Sequence, residues 1–287
     1  MPRLVIGGQA VIEGVMMRSR QYVSVAVRTP KGKISSKTEK IRGLSNRYTF
    51  LRLPFLRGTV ALFENLVLGY KALTWSANEA AGEEADLSVL EMALSLVIAL
   101  GLGLGLFIAA PLFLSGLLIK NNEIAFNILD GLLRLVIFVL YILAISMLRD
   151  VRRLFRYHGA EHMAVNAHEA GKKLTVKNVM PFTTYHPRCG TSFLVIVVFI
   201  SIVVFTAVSH PSIWIKLLSR IILLPVIASL SFEALYFSAK FRRNPVMQPV
   251  IWLGRATQAI TTQRPDRQMV EVAIKALKEV LKKEKAT

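Results

Sequence analysis

The sequence has few charged residues and almost no cysteine. Asp, Glu, Lys and Arg make up only 19% of its 287 residues, whereas soluble globular chains carry about 25%. The single cysteine, Cys189, excludes an internal disulfide framework, so it serves either as a buried thiol or as a metal ligand. No internal repeat is evident, which argues against a transporter built from duplicated halves.

Acidic residues are scarce beside basic ones, 18 against 36, and the net charge is +18. On a chain with a mean hydropathy of +0.48, this excess must lie in the parts outside a bilayer. It fits cytoplasmic segments that face anionic lipid. Nucleic acid is a less favoured partner for the same charge.

Apolar residues, in contrast, form long runs. Four of these runs are long enough to cross a bilayer, at residues 92–119, 124–148, 193–209 and 213–237. Basic residues are concentrated between the second and third runs and near both ends, whereas the connections at 120–123 and 210–212 contain only Lys120. The positive-inside rule therefore predicts a multi-pass protein of the cell (inner or plasma) membrane with both termini in the cytoplasm.

The predicted fold is mainly α, a polytopic helical membrane protein with about four transmembrane helices and a small cytoplasmic α+β part. An N-terminal β-hairpin follows from the alternation of Val23, Val25 and Val27 and from the turn residues at 29–32. We expect six segments: an N-terminal cytoplasmic β-rich segment (1–53), an amphipathic or interfacial helix with a linker (54–86), transmembrane helices one and two (87–148), a cytoplasmic segment (149–192), transmembrane helices three and four (193–237) and C-terminal cytoplasmic amphipathic helices (238–287).

Charged residues inside apolar helices need partners. Arg57, Glu64 and Lys71 recur every seven residues and would make a transmembrane helix at 54–80 costly. They favour a helix that lies in the membrane interface or packs against the helical bundle. In the second and fourth predicted spans, we expect Asp130 to pair with Arg134 or Arg220. Glu233 is interpreted as an interfacial glutamate; the alternative is a further metal ligand or a group that supports a ligand.

A polar segment between the second and third runs contains four of the five histidines and Cys189. Its sequence His158-Gly-Ala-Glu161-His162 has the H-x-x-E-H order of inverted zincins, in which two histidines bind zinc and the glutamate activates water. On a helix, His158 and His162 are about 40° apart, so both imidazoles can bind one divalent ion.

A second element, His186-Pro-Arg188-Cys189, closes the same segment. We expect the metal to be held by His158 and His162 together with His186, Cys189 or both; three protein ligands and water make a catalytic site, and four make a structural one. Glu169 points the same way as His158 but lies about 16 Å along a straight helix, so direct ligation would require a break in the helix. Without such a break, Glu169 supports a ligand or is unrelated to the metal.

Five literal motifs extend over nearly the whole chain: GGQAVIEGVMMR, RYHGAEH (156–162), HPRCGTSF (186–193), LLP (223–225) and TTQRP (261–265). Together they resemble the YqhQ-like family of bacterial membrane proteins, domain of unknown function 1385. The resemblance implies a metal-dependent enzyme whose substrate and reaction are not established. The positions of the family motifs that it implies for the site are His158, Glu161, His162, Glu169, His186, Arg188 and Cys189. Glu13 and Glu233 are implied as supporting positions.

The leading hypothesis is a metal-dependent hydrolase that acts at the membrane surface on a peptide or a lipid-linked substrate. A divalent metal, with zinc as the expected ion, would be bound by the histidines and Cys189. Glu161 would take a proton from water, and Arg188 would steady an anionic group of the substrate. The alternative is a non-catalytic membrane scaffold or assembly factor with a structural metal or none; the sequence leaves a homo-oligomer open.

Overall fold

The computed structural model describes residues 6–41, 43–44, 48–82, 89–208, 210, 212–241 and 244–286. The described chain is mainly helical, with one small sheet. The strands are β1 (Gly7–Val11), β2 (Gly14–Arg18), β3 (Tyr22–Arg28) and β4 (Ile34–Lys40). The helices are α1 (Arg57–Ala81), α2 (Val89–Leu104), α3 (Ala110–Leu118), α4 (Glu123–Ser146), α5 (Arg149–Glu169), α6 (Val176–Val179), α7 (Gly190–Ala207), α8 (Ile213–Ile222), α9 (Leu224–Lys240), α10 (Gln248–Thr261) and α11 (Arg267–Lys285).

The four strands form one antiparallel sheet in the order β1-β2-β3-β4. Strands β3 and β4 form the predicted hairpin, in which Tyr22 is opposite Lys40. Strands β1 and β2 form a second hairpin that the sequence did not predict. Its turn places Glu13 at a positive φ of 52°, a conformation that is uncommon for residues other than glycine.

One hydrophobic core joins three segments that are far apart in the sequence. It contains Val15 and Met17 from the sheet, Met163 from α5, and Met269 and Leu277 from α11. Helix α11 is amphipathic, and its apolar face is buried while lysines cover the opposite face. The sheet, α5 and α11 therefore fold as one unit, which we call the polar unit.

Three helical segments are long and apolar enough to cross a membrane, at Ala93–Leu118, Glu123–Ser146 and Gly190–Ala207. A fourth crossing is present only if α8 and the following Leu224–Ser238 together form one span. The axes of these two helices are bent by 51° relative to each other. The break falls at Leu223, just before Pro225, which cannot donate a helical backbone hydrogen bond. The span expected at 213–237 therefore consists of two shorter helices joined at a bend.

Helix α1 uses its charges to hold other elements. Glu64 accepts from Arg18 of β2 at 3.0 Å, and Arg57 pairs with Glu233 of α9 at 2.6 Å. The helix thus connects the sheet to the apolar bundle, and Glu233 is used in this connection. The linker expected at 81–86 lies, from residue 83 onward, outside the described residues.

The buried Asp130 makes both of the expected pairs within the bundle. Its carboxylate lies 3.0 Å from Arg134 on the same helix and 3.1 Å from Arg220 on α8. Burial of one carboxylate between two guanidinium groups ties α8 to α4 despite the bend after α8.

Gly159 tests the packing of the polar unit. The loop before α11 crosses α5 so closely that a Cβ at residue 159 would lie 2.0 Å from the carbonyl oxygen of Gln263. We expect Gly159→Ala to lower stability by about 1–3 kcal/mol, because backbone would have to move. Thermal unfolding of the purified protein in mild detergent measures the effect.

Gly101→Ala is the matched control, because a Cβ there meets nothing within 4 Å. Both changes add the same methyl group to a helix and gain the same intrinsic preference of alanine for helix. Equal unfolding temperatures for the two variants would contradict this description of the packing.

Candidate metal centre

Helix α5 is continuous from Arg149 to Glu169 and carries His158, Glu161 and His162. The helix ends where Gly171 adopts a positive φ of 71°, a common helix stop. Because no break occurs, the two imidazoles lie one turn apart in an edge-to-face arrangement, with ring centroids 4.5 Å from each other. The same continuity carries Glu169 to the far end of the helix.

Each imidazole is fixed by a backbone carbonyl. Nδ1 of His158 donates to the carbonyl oxygen of Thr261 at 2.9 Å, and Nδ1 of His162 donates to that of Thr184. Donation from Nδ1 leaves the lone pair of Nε2 free to bind a metal, an arrangement common among metal-ligating histidines. Burial lowers the pKa of both side chains, to about 2 for His162, so both rings are neutral, as ligands must be.

Cys189 completes a group of three donors. Its Sγ lies 3.4 Å from Nε2 of His158, and the donor atoms of His158, His162 and Cys189 all lie within 4.8 Å of one another. Nitrogen and sulfur bound to one tetrahedral zinc ion are separated by about 3.6 Å, given the usual bond lengths. Burial raises the pKa of the Cys189 thiol to about 11, so a nearby cation would be needed to favour the thiolate.

Two amide side chains hold the segment that presents Cys189. Asn166, one turn after His162, donates to the carbonyl oxygens of Thr183 and Tyr185 at 3.0 and 2.9 Å. Gln258, buried on α10, accepts from the backbone N–H of His186 and donates to its carbonyl oxygen. These contacts hold Cys189 at the position that directly precedes α7. The spacing of Asn166 from His162 could have indicated its role, but no local pattern points to Gln258.

Glu161 lies beside the three donors. Its Oε2 is 3.4 Å from Nε2 of His162 and 3.9 Å from Nε2 of His158. The carboxyl group is buried, and burial raises its pKa to about 8. Gly8 of β1 makes room for it, because a Cβ there would lie 2.6 Å from Cγ of Glu161. Glu161 can therefore hold and release a proton near neutral pH.

His186, Glu169 and Arg188 form an adjoining cluster. Nδ1 of His186 accepts from the backbone N–H of Arg188, and its Nε2 lies 3.5 Å from Glu169. Arg188 also pairs with Glu169. Contacts with His186 and Arg188 hold the pKa of Glu169 below its usual range. The structure thus brings His158, His162, Cys189 and Glu161 together and places the other three candidates beside them.

Glu13 supports α5 from the sheet. It pairs with Arg153 and accepts from the hydroxyl of Tyr157 at 3.3 Å. Tyr157 directly precedes His158. The turn between β1 and β2, which the sequence did not predict, therefore contacts α5 next to the first residue of the candidate site. This contact accounts for the glutamate in the glycine-rich motif near the start of the chain.

Comparison with known proteins shows the family to which this sequence belongs. Residues 53–283 match the profile of a family described as "Protein of unknown function (DUF1385)". The chain belongs to the DUF1385 family. It is 32% identical over 294 residues to the "Uncharacterized protein YqhQ" of Bacillus subtilis (strain 168), across 97% of this chain and 92% of that protein. No solved structure matches this DUF1385 member. The family resemblance is confirmed, and the metal-dependent activity that it implies stays a prediction.

Metal content tests the donor group. We expect the purified DUF1385 protein to contain about one zinc-like ion per chain, and Cys189→Ala or His158→Ala to remove most of it, because either change leaves only two of the three donors. Elemental analysis by mass spectrometry after gel filtration gives the stoichiometry.

The matched control is Glu169→Gln, which changes a carboxylate on the same helix but outside the donor group. This variant should retain the wild-type amount of metal. Loss of metal in Glu169→Gln together with retention in Cys189→Ala would contradict the assignment.

Proposed function

We propose that this protein is a membrane-embedded, metal-dependent hydrolase whose site faces the cytoplasm. One observation carries the proposal: two imidazoles anchored by backbone carbonyls and one buried thiol converge beside the buried carboxyl group of Glu161. Three protein donors leave one position of a tetrahedral ion open, which is typical of catalytic zinc sites.

The shared core of the polar unit supports four membrane crossings. Because the sheet, α5 and α11 share one core, we assign all three to the same side of the membrane. An even number of crossings must therefore separate the sheet from α5, and α5 from α11. Residues 93–118 and 123–146 supply the first pair. The second pair consists of 190–207 and the bent α8–α9 segment, which we therefore interpret as one broken span.

The charge distribution supports a cytoplasmic polar unit. Basic residues flank the crossings on its side, including Arg149, Arg152, Lys172 and Lys173, whereas the opposite connection at 120–123 contains one lysine. An excess of basic residues marks the cytoplasmic side of membrane proteins. Both described ends of the chain belong to the polar unit and lie on that side in this interpretation.

The donor set of two nitrogens and one sulfur suits zinc. When bound, such an ion supplies Lewis-acid activation of water. Glu161 is positioned to take the proton that water loses, since its carboxyl group lies within 4 Å of both ligating nitrogens. Arg188, whose side chain is 38% exposed, is assigned to an anionic part of the substrate.

The position of the site favours a substrate at the membrane surface. Cys189 directly precedes α7, which is one of the candidate membrane spans. The donor group therefore lies where the polar unit meets the apolar bundle. A peptide or a lipid-linked molecule in the lipid headgroup region would approach the site from this boundary.

A second candidate function is a membrane scaffold in which the metal is structural. Its support is the burial of the site, since Glu161, His162 and Cys189 are only 4%, 2% and 5% exposed. A metal bound there would join α5 of the polar unit to the start of α7 without requiring access for a substrate. This alternative makes the opposite prediction for Glu161.

Glu161→Gln separates the two functions. The change is nearly isosteric and leaves the three donors in place, so we expect metal content to be retained and turnover to fall by about 100-fold or more. Incubation of wild-type and variant protein with membrane lipid extracts and peptide mixtures, followed by mass spectrometry, measures which molecules are consumed.

Metal-depleted wild-type protein is the control for metal dependence. Molecules that are consumed by the wild type, but neither by Glu161→Gln nor by the metal-depleted protein, would identify the substrate class. Equal consumption by Glu161→Gln, or a deletion phenotype fully rescued by this variant, would contradict the hydrolase and favour the scaffold.

New cysteines test the membrane arrangement. In intact cells, we expect Lys120→Cys to react with a membrane-impermeant maleimide and Lys172→Cys to react only after the cells are opened. The parent chain controls for the native thiol, because Cys189 is buried. Labelling of Lys172→Cys in intact cells would contradict a cytoplasmic polar unit.

A further inference from the structure

A second polar group lies inside the apolar bundle, away from the candidate metal centre. It centres on Asp130, Arg134 and Arg220, whose side chains are 2%, 9% and 2% exposed. Oδ2 of Asp130 accepts from Nη2 of Arg134 at 3.0 Å and from Nη2 of Arg220 at 3.1 Å. One oxygen atom of one carboxylate therefore serves two guanidinium groups.

The charges of this group do not cancel. The neighbouring Lys216 is paired with Glu123 at 2.8 Å, so these two residues neutralise each other. The described side chains of the group thus hold three cations, Lys216 included, and two carboxylates, with an excess of one positive charge. Neutral acceptors such as Asn127 and Ser201 satisfy N–H groups of the guanidiniums but supply no charge. An uncompensated guanidinium in a low-dielectric bundle is strongly unfavourable.

The same group borders a small cavity. Its volume is about 20 Å³, and both Arg134 and Arg220 line it together with Ser201 and Phe205. This is room for about one particle of water size or slightly larger. Among the described residues, Nε of Arg134 and Oδ1 of Asp130 are both buried without a hydrogen-bond partner. Of these two residues, only Arg134 lines the cavity. The unpaired N–H donor of Arg134 and the excess positive charge therefore belong to side chains at the same small cavity.

We propose that this cavity binds one small monovalent anion of chloride size. Such an ion offsets the excess positive charge and accepts from the guanidinium donors, whereas water would satisfy a donor but leave the charge. A phosphate group would exceed the volume of the cavity. The remaining lining residues, Ile108, Val197, Leu224 and Ile227, are apolar and suit a weakly hydrated halide.

The anion site has a structural consequence for the bend after α8. Arg220 belongs to α8, Leu224 opens α9, and Arg134 and Ser201 belong to α4 and α7. The bound ion would hold the broken segment against the two straight helices. Ser201 lies about 18 Å along α7 from Cys189, so the anion site is separate from the candidate metal centre and can be tested independently.

Bromide titration of the full-length protein tests this proposal. After purification in gluconate, the wild-type unfolding temperature should rise saturably with sodium bromide, compared with sodium gluconate at equal ionic strength. Arg134→Gln should lose the saturable rise, because Asp130 and Arg220 then neutralise each other. Asp130→Asn should bind bromide about tenfold more tightly or better, because a second positive charge is left uncompensated.

Lys275→Gln on α11 is the control, since it removes one cation that pairs with Glu279 outside the bundle; it should respond to bromide like the wild type. If Asp130→Asn does not fold, anomalous scattering from bromide in wild-type crystals decides the matter. A peak between Arg134 and Arg220 would support the site. A missing peak, or a wild-type response that depends on ionic strength alone, would overturn it.

Discussion

The packing of α5 between the sheet and α11 is the constraint on which the rest of the structure depends. Apolar residues along one side of α5, including Met163 and Ala164, share a core with the sheet and with α11. Burial of this side fixes the rotation of the helix, and the rotation decides where His158, Glu161 and His162 point. The carbonyl oxygens of Thr261 and Thr184 then fix the two imidazoles.

The same packing links the candidate site to the membrane arrangement. The core draws on the beginning, the middle and the end of the described chain. In the proposed arrangement, the apolar helices therefore leave the polar unit and return to it on the same side of the membrane. Cys189 lies where the chain leaves the polar unit for α7. A metal held by this thiol and by α5 would therefore join the two parts of the protein, whether it serves catalysis or stability.

The sequence predicted those features that depend on local periodicity. Helical spacing brought His158 and His162 together and separated Glu169 from them, and the apolar runs located the membrane-length helices. It missed the hairpin of β1 and β2, because Ile12 and Glu13 do not carry a usual turn signal. It also left His186, Cys189 or both as candidate ligands. The segment that carries these two residues is held by Gln258, which binds the backbone of His186 from 72 positions away, and no local pattern reveals such a contact.

We infer that His158, His162 and Cys189 together bind one ion. X-ray absorption at the zinc edge of the purified, zinc-loaded protein measures this most directly. We expect two nitrogen neighbours at about 2.0–2.1 Å and one sulfur neighbour at about 2.3 Å, with the sulfur signal lost in Cys189→Ser. A first shell without sulfur in the wild-type protein would contradict it.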